Sequence, residues 1–160
     1  MADSSDPTVP IPSGKPEART VREGSFGWMI QTIAAAMNAR LDVELGPLGL
    51  TRHQFGVLMI LLDIEGISQA DIGKRINLPG YATTRGMDAL EALDLVQRRP
   101  DATSRRAYKV YLTAKGRALG PTLFEIVKRV NGGMAEGLSA DQKDALHGGL
   151  TIMAGNARKA

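Results

Sequence analysis

The sequence predicts a mainly α-helical chain with one small β-hairpin, and three observations carry that expectation. Apolar residues recur at three- and four-residue steps through several segments, the period of one helix face. From Tyr108 to Leu112 a two-residue alternation replaces that period. Leu78-Pro79-Gly80 breaks the helical pattern so briefly that two helices are joined by a tight turn. Helix, turn, helix and a hairpin wing make a winged helix-turn-helix lobe, at about residues 47–112. The helices on either side, about 25–45 and 113–158, carry apolar faces of their own.

Composition sets the outer bounds. The 160 residues are 43% hydrophobic and 23% charged, one domain's worth of chain with enough apolar side chains for a real core. No apolar run approaches the roughly 20 residues that span a bilayer, and the first twenty residues show no basic start followed by an apolar stretch. There is no cysteine, which excludes disulfides, cysteine-ligated metals and thiol redox sensing. A cytoplasmic location, with no membrane partner, is expected.

The elements follow in order. Residues 1–20 hold four of the eight prolines among Ser, Asp, Thr and Gly and lack an apolar period, so a disordered arm is expected before a single domain over 21–160. From about Ser25 to Leu45, Trp28, Met29, Ile33, Ala36, Met37, Leu41 and Leu45 fall on one helical face, and Gly46-Pro47 ends the helix. Thr51 is a good N-cap for a second helix to about Asp63. Ser68 caps a third, with Ala70, Ile72 and Ile76 as its apolar set. The fourth runs over about 80–93, with Thr83, Met87 and Leu90 on one face and Tyr81, Thr84, Arg85 and Asp88 on the other.

After Asp94 the period changes. Leu95 and Val96 lead through Gln97, Arg98 and Arg99 into the turn-forming Pro100-Asp101-Ala102-Thr103-Ser104. Tyr108, Val110 and Leu112 then alternate with Lys109 and Tyr111 on the return strand. Thr113 caps a fifth helix carrying Leu119, Leu123, Ile126, Val127 and Val130, with its end expected at Gly132-Gly133. Ser139 caps a sixth, on which Leu146, Leu150 and Met153 face one side.

Charge is concentrated in the lobe. Between Asp71 and Arg117 ten basic residues stand against five acidic ones, a net +5, although the whole chain carries only +3. A polyanionic ligand requires such a concentration. A helix entering a major groove presents its N-terminal, outward side chains to base edges, here Tyr81, Thr84 and Arg85. Arg85 has the chemistry for a bidentate guanine contact; phosphate binding, or a local ion pair with Asp88 or Glu91, is the alternative. Arg98, Arg99, Arg106 and Lys109 are placed for phosphates, which fix register without reading sequence.

From about Ser25 onward the sequence resembles the MarR (multiple-antibiotic-resistance regulator) family of bacterial winged-helix transcription factors. The segments that carry the resemblance are ISQADIGKRINL, ATTRGMDALEALDLVQRR and PDATSRRAYKVYLTAKG. In the last, Asp101, Ser104-Arg105-Arg106, Leu112-Thr113 and Gly116 match the family's wing pattern. Two positions depart from it: Gly86 replaces a larger apolar residue, and Asp94 stands where a glycine commonly ends the recognition helix.

The resemblance implies that helix 80–93 enters the major groove and that the wing, 97–109, lies at the minor groove, with Arg105 inserted where the groove is narrow. Asp101 would organise the wing by accepting hydrogen bonds from the turn backbone or from Arg105 or Arg106. Double-stranded DNA with a near-palindromic site is the implied partner, and a second copy of the chain the other. The terminal helices need a surface to cover their apolar faces, and in this family those of two subunits interlock; a monomer wrapping its own core is the alternative.

Regulators of this kind are commonly repressors released by a small, often aromatic or phenolic, effector. Trp28, with His53, Phe55 and Met59 as neighbours, is the candidate pocket, against the plainer reading of Trp28 as a core or interface aromatic. His53 and His147 lack the three or four convergent ligands of a metal site, and no cofactor or catalytic set is recognisable. A winged-helix module that binds protein and has lost operator reading remains the competing class; the basic residues between Arg98 and Lys109 favour DNA.

Overall fold

The structure, a computed structural model, describes residues 15–101 and 104–159, and the side chains of all of these except 104–107. It divides into two compact units, one through Ala36 and one from Met37 onward.

In the N-terminal unit the first helix, α1, is Pro16–Glu23. The expected arm through residue 20 is therefore corrected over its last residues, while residues 1–14 lie outside the described residues. Local chemistry explains the early start. Proline in the first turn has no N–H to leave unpaired, Glu17 sits at the positive end of the helix, and Arg19 Nε reaches Glu23 Oε1 at 2.9 Å one turn on. The next helix, α2 (Phe26–Leu45), begins in this unit, where Phe26, Trp28, Met29, Ile30 and Ile33 are all exposed.

The second unit holds the core. At the end of α2, Leu45 is fully buried, with Met37 and Leu41 packed on the same cluster. Glycine is required at position 49, where φ is +64° after the short 3-10 turn Gly46–Leu48. Helix α3 (Arg52–Asp63) is opened by a capping box: Gln54 N–H donates to Thr51 Oγ1 at 3.3 Å, and Thr51 N–H donates to Gln54 Oε1 at 2.8 Å. Val57, Leu58 and Leu61 form its buried face.

Helix α4 (Gln69–Arg75) is capped by Ser68 and ends in a left-handed Asn77 at φ +53°. Leu78 N–H reaches back to the Gly73 carbonyl and Asn77 N–H to that of Lys74, at 2.9 and 3.3 Å. This closing pattern satisfies the helix's last carbonyls and reverses the chain within a few residues. Helix α5 (Gly80–Ala92) follows at once and buries Thr83, Met87 and Leu90, the face expected from the sequence. The two helices touch closely: a side chain at Gly73 would come within 2.7 Å of Thr83 Oγ1.

The same closure ends α5. Leu95 N–H donates to the Leu90 carbonyl and Asp94 N–H to that of Glu91, both at 2.9 Å. Asp94 takes φ +57°, so the position does demand the conformation that glycine adopts freely; a short polar side chain tolerates it.

Three antiparallel strands complete the unit in the order β1-β3-β2, with β1 Ile67–Ser68, β2 Val96–Asp101 and β3 Ser104–Leu112. The short β1 was not expected from the sequence. Val96 pairs with Leu112, Arg98 with Val110 and Pro100 with Tyr108, and the register shifts between Pro100 and Asp101. Val96, Val110 and Leu112 are buried on one face of the sheet, whereas Tyr108, on the same face but farther out, is exposed.

Helix α6 (Ala114–Met134) is capped by Thr113 and buries Leu123, Ile126 and Val130. It runs through Gly132-Gly133, so the expected stop there is corrected. Gly133 gives close approach to Arg40, whose Nη1 would lie 2.5 Å from an added Cβ. A later glycine, Gly137 at φ +82°, turns the chain. The last helix, α7 (Ala140–Ala157), has a Ser139–Gln142 capping box and no buried residue.

Candidate nucleic-acid interface

The outward face of α5 is built by the helix period. With Thr83, Met87 and Leu90 committed to the core, Tyr81, Thr84, Arg85 and Asp88 are left exposed. No side chain caps the N-terminus of this helix, and the Ala82 and Thr83 amides both donate to the Pro79 carbonyl, at 3.0 and 3.1 Å. Tyr81 is 74% exposed at that end. Among the described residues Arg85 makes no ion pair. Its two nearest acids on the helix, Asp88 and Glu91, are both bound to Arg98.

Arg98 is where the structure departs most from expectation. The strand alternation that turns Val96 and Val110 inward also turns Arg98 inward, towards α5, and its side chain is only 20% exposed. Its Nη2 donates to Asp88 Oδ1 at 2.8 Å, Nη1 pairs with Glu91 Oε2, and its backbone N–H donates to Glu91 Oε1 at 2.9 Å. Nε and Nη2 also donate to Gln69 Oε1, at 3.2 and 2.9 Å. The phosphate role assigned to Arg98 is thus corrected: it is a clamp joining the wing to α4 and α5.

Arg99, one residue on, has the opposite orientation. It is exposed, and its guanidinium lies 4.7 Å from the centre of the Tyr111 ring. Aromatic support of that kind holds a cation in place without neutralising it. Lys109 shares this sheet face, and its Nζ is 3.9 Å from Asp101 Oδ2. Asp101 is 15% exposed at the strand end, consistent in position with an organising role. The side chains of Ser104, Arg105 and Arg106 lie outside the described residues.

Sequence reasoning passed over three residues that shape the interface. Gln69 bridges Arg98 to Thr84. Glu65 accepts from the Leu112 N–H at 3.1 Å and from Arg117, tying the approach to β1 to β3 and α6. Lys115 Nζ donates to the Leu93 carbonyl at 2.8 Å, at the negative end of α5. Glu65 and Lys115 bond to backbone groups distant in sequence, which no local pattern announces. The inward turn of Arg98 was readable from strand parity.

The effector candidates fall in both units. Trp28 lies in the N-terminal unit, where the Arg22 guanidinium is 4.9 Å from its ring. A shallow groove beside it is lined by Glu17, Val21, Ser25 and Gln31. In the other unit, Phe55 and Met59 pack on the core from one edge of α3, and His53 is exposed on the other edge. A separation of two residues on a helix turns side chains about 200° apart, so His53 does not share their face. Among the described residues no cluster of three or more His, Asp or Glu could hold a metal ion, and no helix is long and apolar enough to cross a membrane.

A short-turn helix pair whose second helix exposes an arginine beside a basic hairpin is the arrangement of a class, the winged-helix, DNA-binding transcription regulators. A family model described as MarR family matches residues 48–107. An HTH-type transcriptional repressor of Mycobacterium tuberculosis is 26% identical over 121 residues, which cover 76% of this chain and 87% of the relative. A MarR transcriptional regulator of Methanosarcina mazei superposes with a TM-score of 0.79 at 26% identity, over 83% of this chain and 96% of that one. The transcriptional repressor CouR, bound to a 23-mer DNA duplex, superposes with a TM-score of 0.76 at 27% identity, over 84% and 95% of the two chains. Residues 48–107 thus match the MarR family model, and over most of its length the chain is similar to regulators of that family.

Proposed function

We propose that this protein is a homodimeric, sequence-specific repressor that places α5 in the major groove and its wing at the minor groove, and that a small ligand releases it. The observation that carries the reading is the state of Arg85. It is exposed on the outer face of α5, and among the described residues it makes no ion pair, Asp88 one turn on being bound to Arg98. A guanidinium left unpaired at that position suits bidentate contact with guanine, worth about 1–3 kcal/mol of discrimination. Tyr81 and Thr84 share that face. Arg99, Arg105, Arg106 and Lys109 supply phosphate and minor-groove charge, and Asp101 and Ser104 shape the turn that carries them.

Repression is supported by the kinship with the mycobacterial repressor and by the likeness to CouR held on DNA. Dimerisation is supported by the uncovered apolar faces of α2 and α7. Ligand release would be a population shift, in which a small molecule prefers an arrangement of the two lobes that cannot span both half-sites.

The DNA reading is tested by selecting duplexes from a random-sequence pool with the full chain and titrating the winner in a mobility-shift assay. Arg85→Ala should weaken binding to the selected duplex about 5- to 150-fold while leaving binding to unrelated duplex unchanged. Equal binding of selected and unrelated duplex by the unsubstituted protein would defeat the proposal.

A further inference from the structure

Hydrogen-bond polarity runs in one direction from Arg98 to the outer face of α5. A guanidinium only donates. Arg98 Nε and Nη2 both reach Gln69 Oε1, at 3.2 and 2.9 Å, so the amide oxygen must face Arg98 and the amide nitrogen must face away. That nitrogen donates to Thr84 Oγ1 at 2.7 Å. The Thr84 hydroxyl therefore accepts from Gln69, and its own hydrogen goes to the Gly80 carbonyl 3.0 Å away, which only accepts. Asp88 and Glu91 anchor the other side of Arg98. Each hydrogen bond from Arg98 through Gln69 to Thr84 has one possible direction.

Thr84 is nevertheless exposed, on the same face as Tyr81 and Arg85. Its hydroxyl is occupied as a donor and once as an acceptor, and fixing Oγ1 on a β-branched side chain fixes the methyl as well. Besides one remaining acceptor lone pair, what the residue can offer is a γ-methyl in a fixed position. In the major groove the complementary group is the C5-methyl of thymine, which no other base carries.

We propose that Thr84 is a specificity-determining residue that recognises a thymine methyl, and that Gln69 and Arg98 are positioning residues that hold its hydroxyl away from the bases. The inference rests on the reading that α5 enters the major groove. It turns an exposed polar residue into an apolar reader, and it makes the sequence preference of α5 depend on the wing through Arg98.

The test uses the duplex selected by the full chain, remade with deoxyuridine at each thymine in turn. Loss of one methyl should weaken binding by the unsubstituted protein about four-fold at one position of each half-site. Thr84→Val, which keeps a γ-methyl but loses the hydroxyl tether, should retain the thymine preference at the same position, narrowed as in Gln69→Leu. Thr84→Ser, which keeps the hydroxyl and loses the methyl, should bind the thymine and deoxyuridine duplexes equally. Gln69→Leu should narrow the thymine-over-deoxyuridine ratio while leaving discrimination at the other positions intact. Loss of the thymine preference in Thr84→Val with retention in Thr84→Ser would overturn the inference and make the hydroxyl the reader. So would a duplex in which no thymine depends on Thr84. Failure of the underlying DNA reading has a separate signature, because the unsubstituted protein would then enrich no duplex at all.

Discussion

Arg98 and Arg99 stand side by side in the sequence, and the pleat of β2 sends one towards the core and the other towards solvent. The Arg98 side chain is 20% exposed between Asp88, Glu91 and Gln69. Exposed ion pairs contribute about 0–1 kcal/mol, and breaking a buried one costs about 3–5. This pair lies between those limits, so Arg98→Ala should lower unfolding free energy in urea by about 2 kcal/mol. Arg99→Ala removes only an exposed cation from the Tyr111 ring, and stability should change by less than about 1 kcal/mol. Its effect should appear on DNA instead, as a salt dependence of binding shallower by about one unit of log–log slope. Composition treats the two arginines as equivalent; alternation along the strand separates them, and the sequence already contained that information in Val96 and Val110.

Elements were legible where their signals are local. Thr51, Ser68, Thr113 and Ser139 each cap the helix expected after them, because an N-cap acts within three residues of itself. The two-residue strand β1 was not legible, since Ile67 and Ser68 pair with Val110 and Lys109 more than forty residues away. Glycines misled at the end of α6 and are informative at its start. A Cβ on Gly116 would lie 2.0 Å from the Leu95 carbonyl oxygen, a backbone atom that cannot swing aside. Gly116→Ala should therefore destabilise the protein by about 3 kcal/mol in denaturant titrations. Near its other end α6 is tied to α2 by Arg129 and Glu44, with Nη2–Oε2 at 2.7 Å and Nε–Oε1 at 3.1 Å. Hydrogen bonding from Arg129, with its charge adding, holds the Glu44 carboxyl below its ordinary value of 4.5 despite some desolvation. A lowered folded value means that this contribution is complete above pH 4.5 and is lost as pH falls through the lowered value. Glu44→Gln should be less stable than the parent at pH 7, with the gap in melting temperature closing on acidification through that range.

At the scale of the whole molecule the uncovered surfaces matter most. Helix α7 exposes Leu146 at 48%, Leu150 at 46% and Met153 at 39% along one stripe, and α2 exposes Trp28 and Ile33 at 47% each. Apolar faces of this kind suit the association of two chains that is proposed above. The pair Leu146→Glu, Leu150→Glu should convert a two-chain species into single chains by sedimentation. Helical content should be retained, because neither residue is buried. Affinity for a palindromic duplex should fall far more than affinity for a half-site, since linked lobes gain from effective concentration. Persistence of the two-chain species would show that α7 is not the interface.

The close seating of α6 against the end of α5 has a mechanical consequence. Thr113 Oγ1 donates to the Asp94 carbonyl, Lys115 reaches the Leu93 carbonyl, and Gly116 leaves no gap at Leu95. Twenty-one residues make α6 roughly 30 Å long, so a displacement of about 5 Å at its Met134 end is a tilt of roughly 10° at the other. Backbone oxygens form the bearing surface, so such a tilt would act directly on the end of α5. On the proposed reading, a modest movement at the far end of α6 would then change the pitch of α5 in the groove.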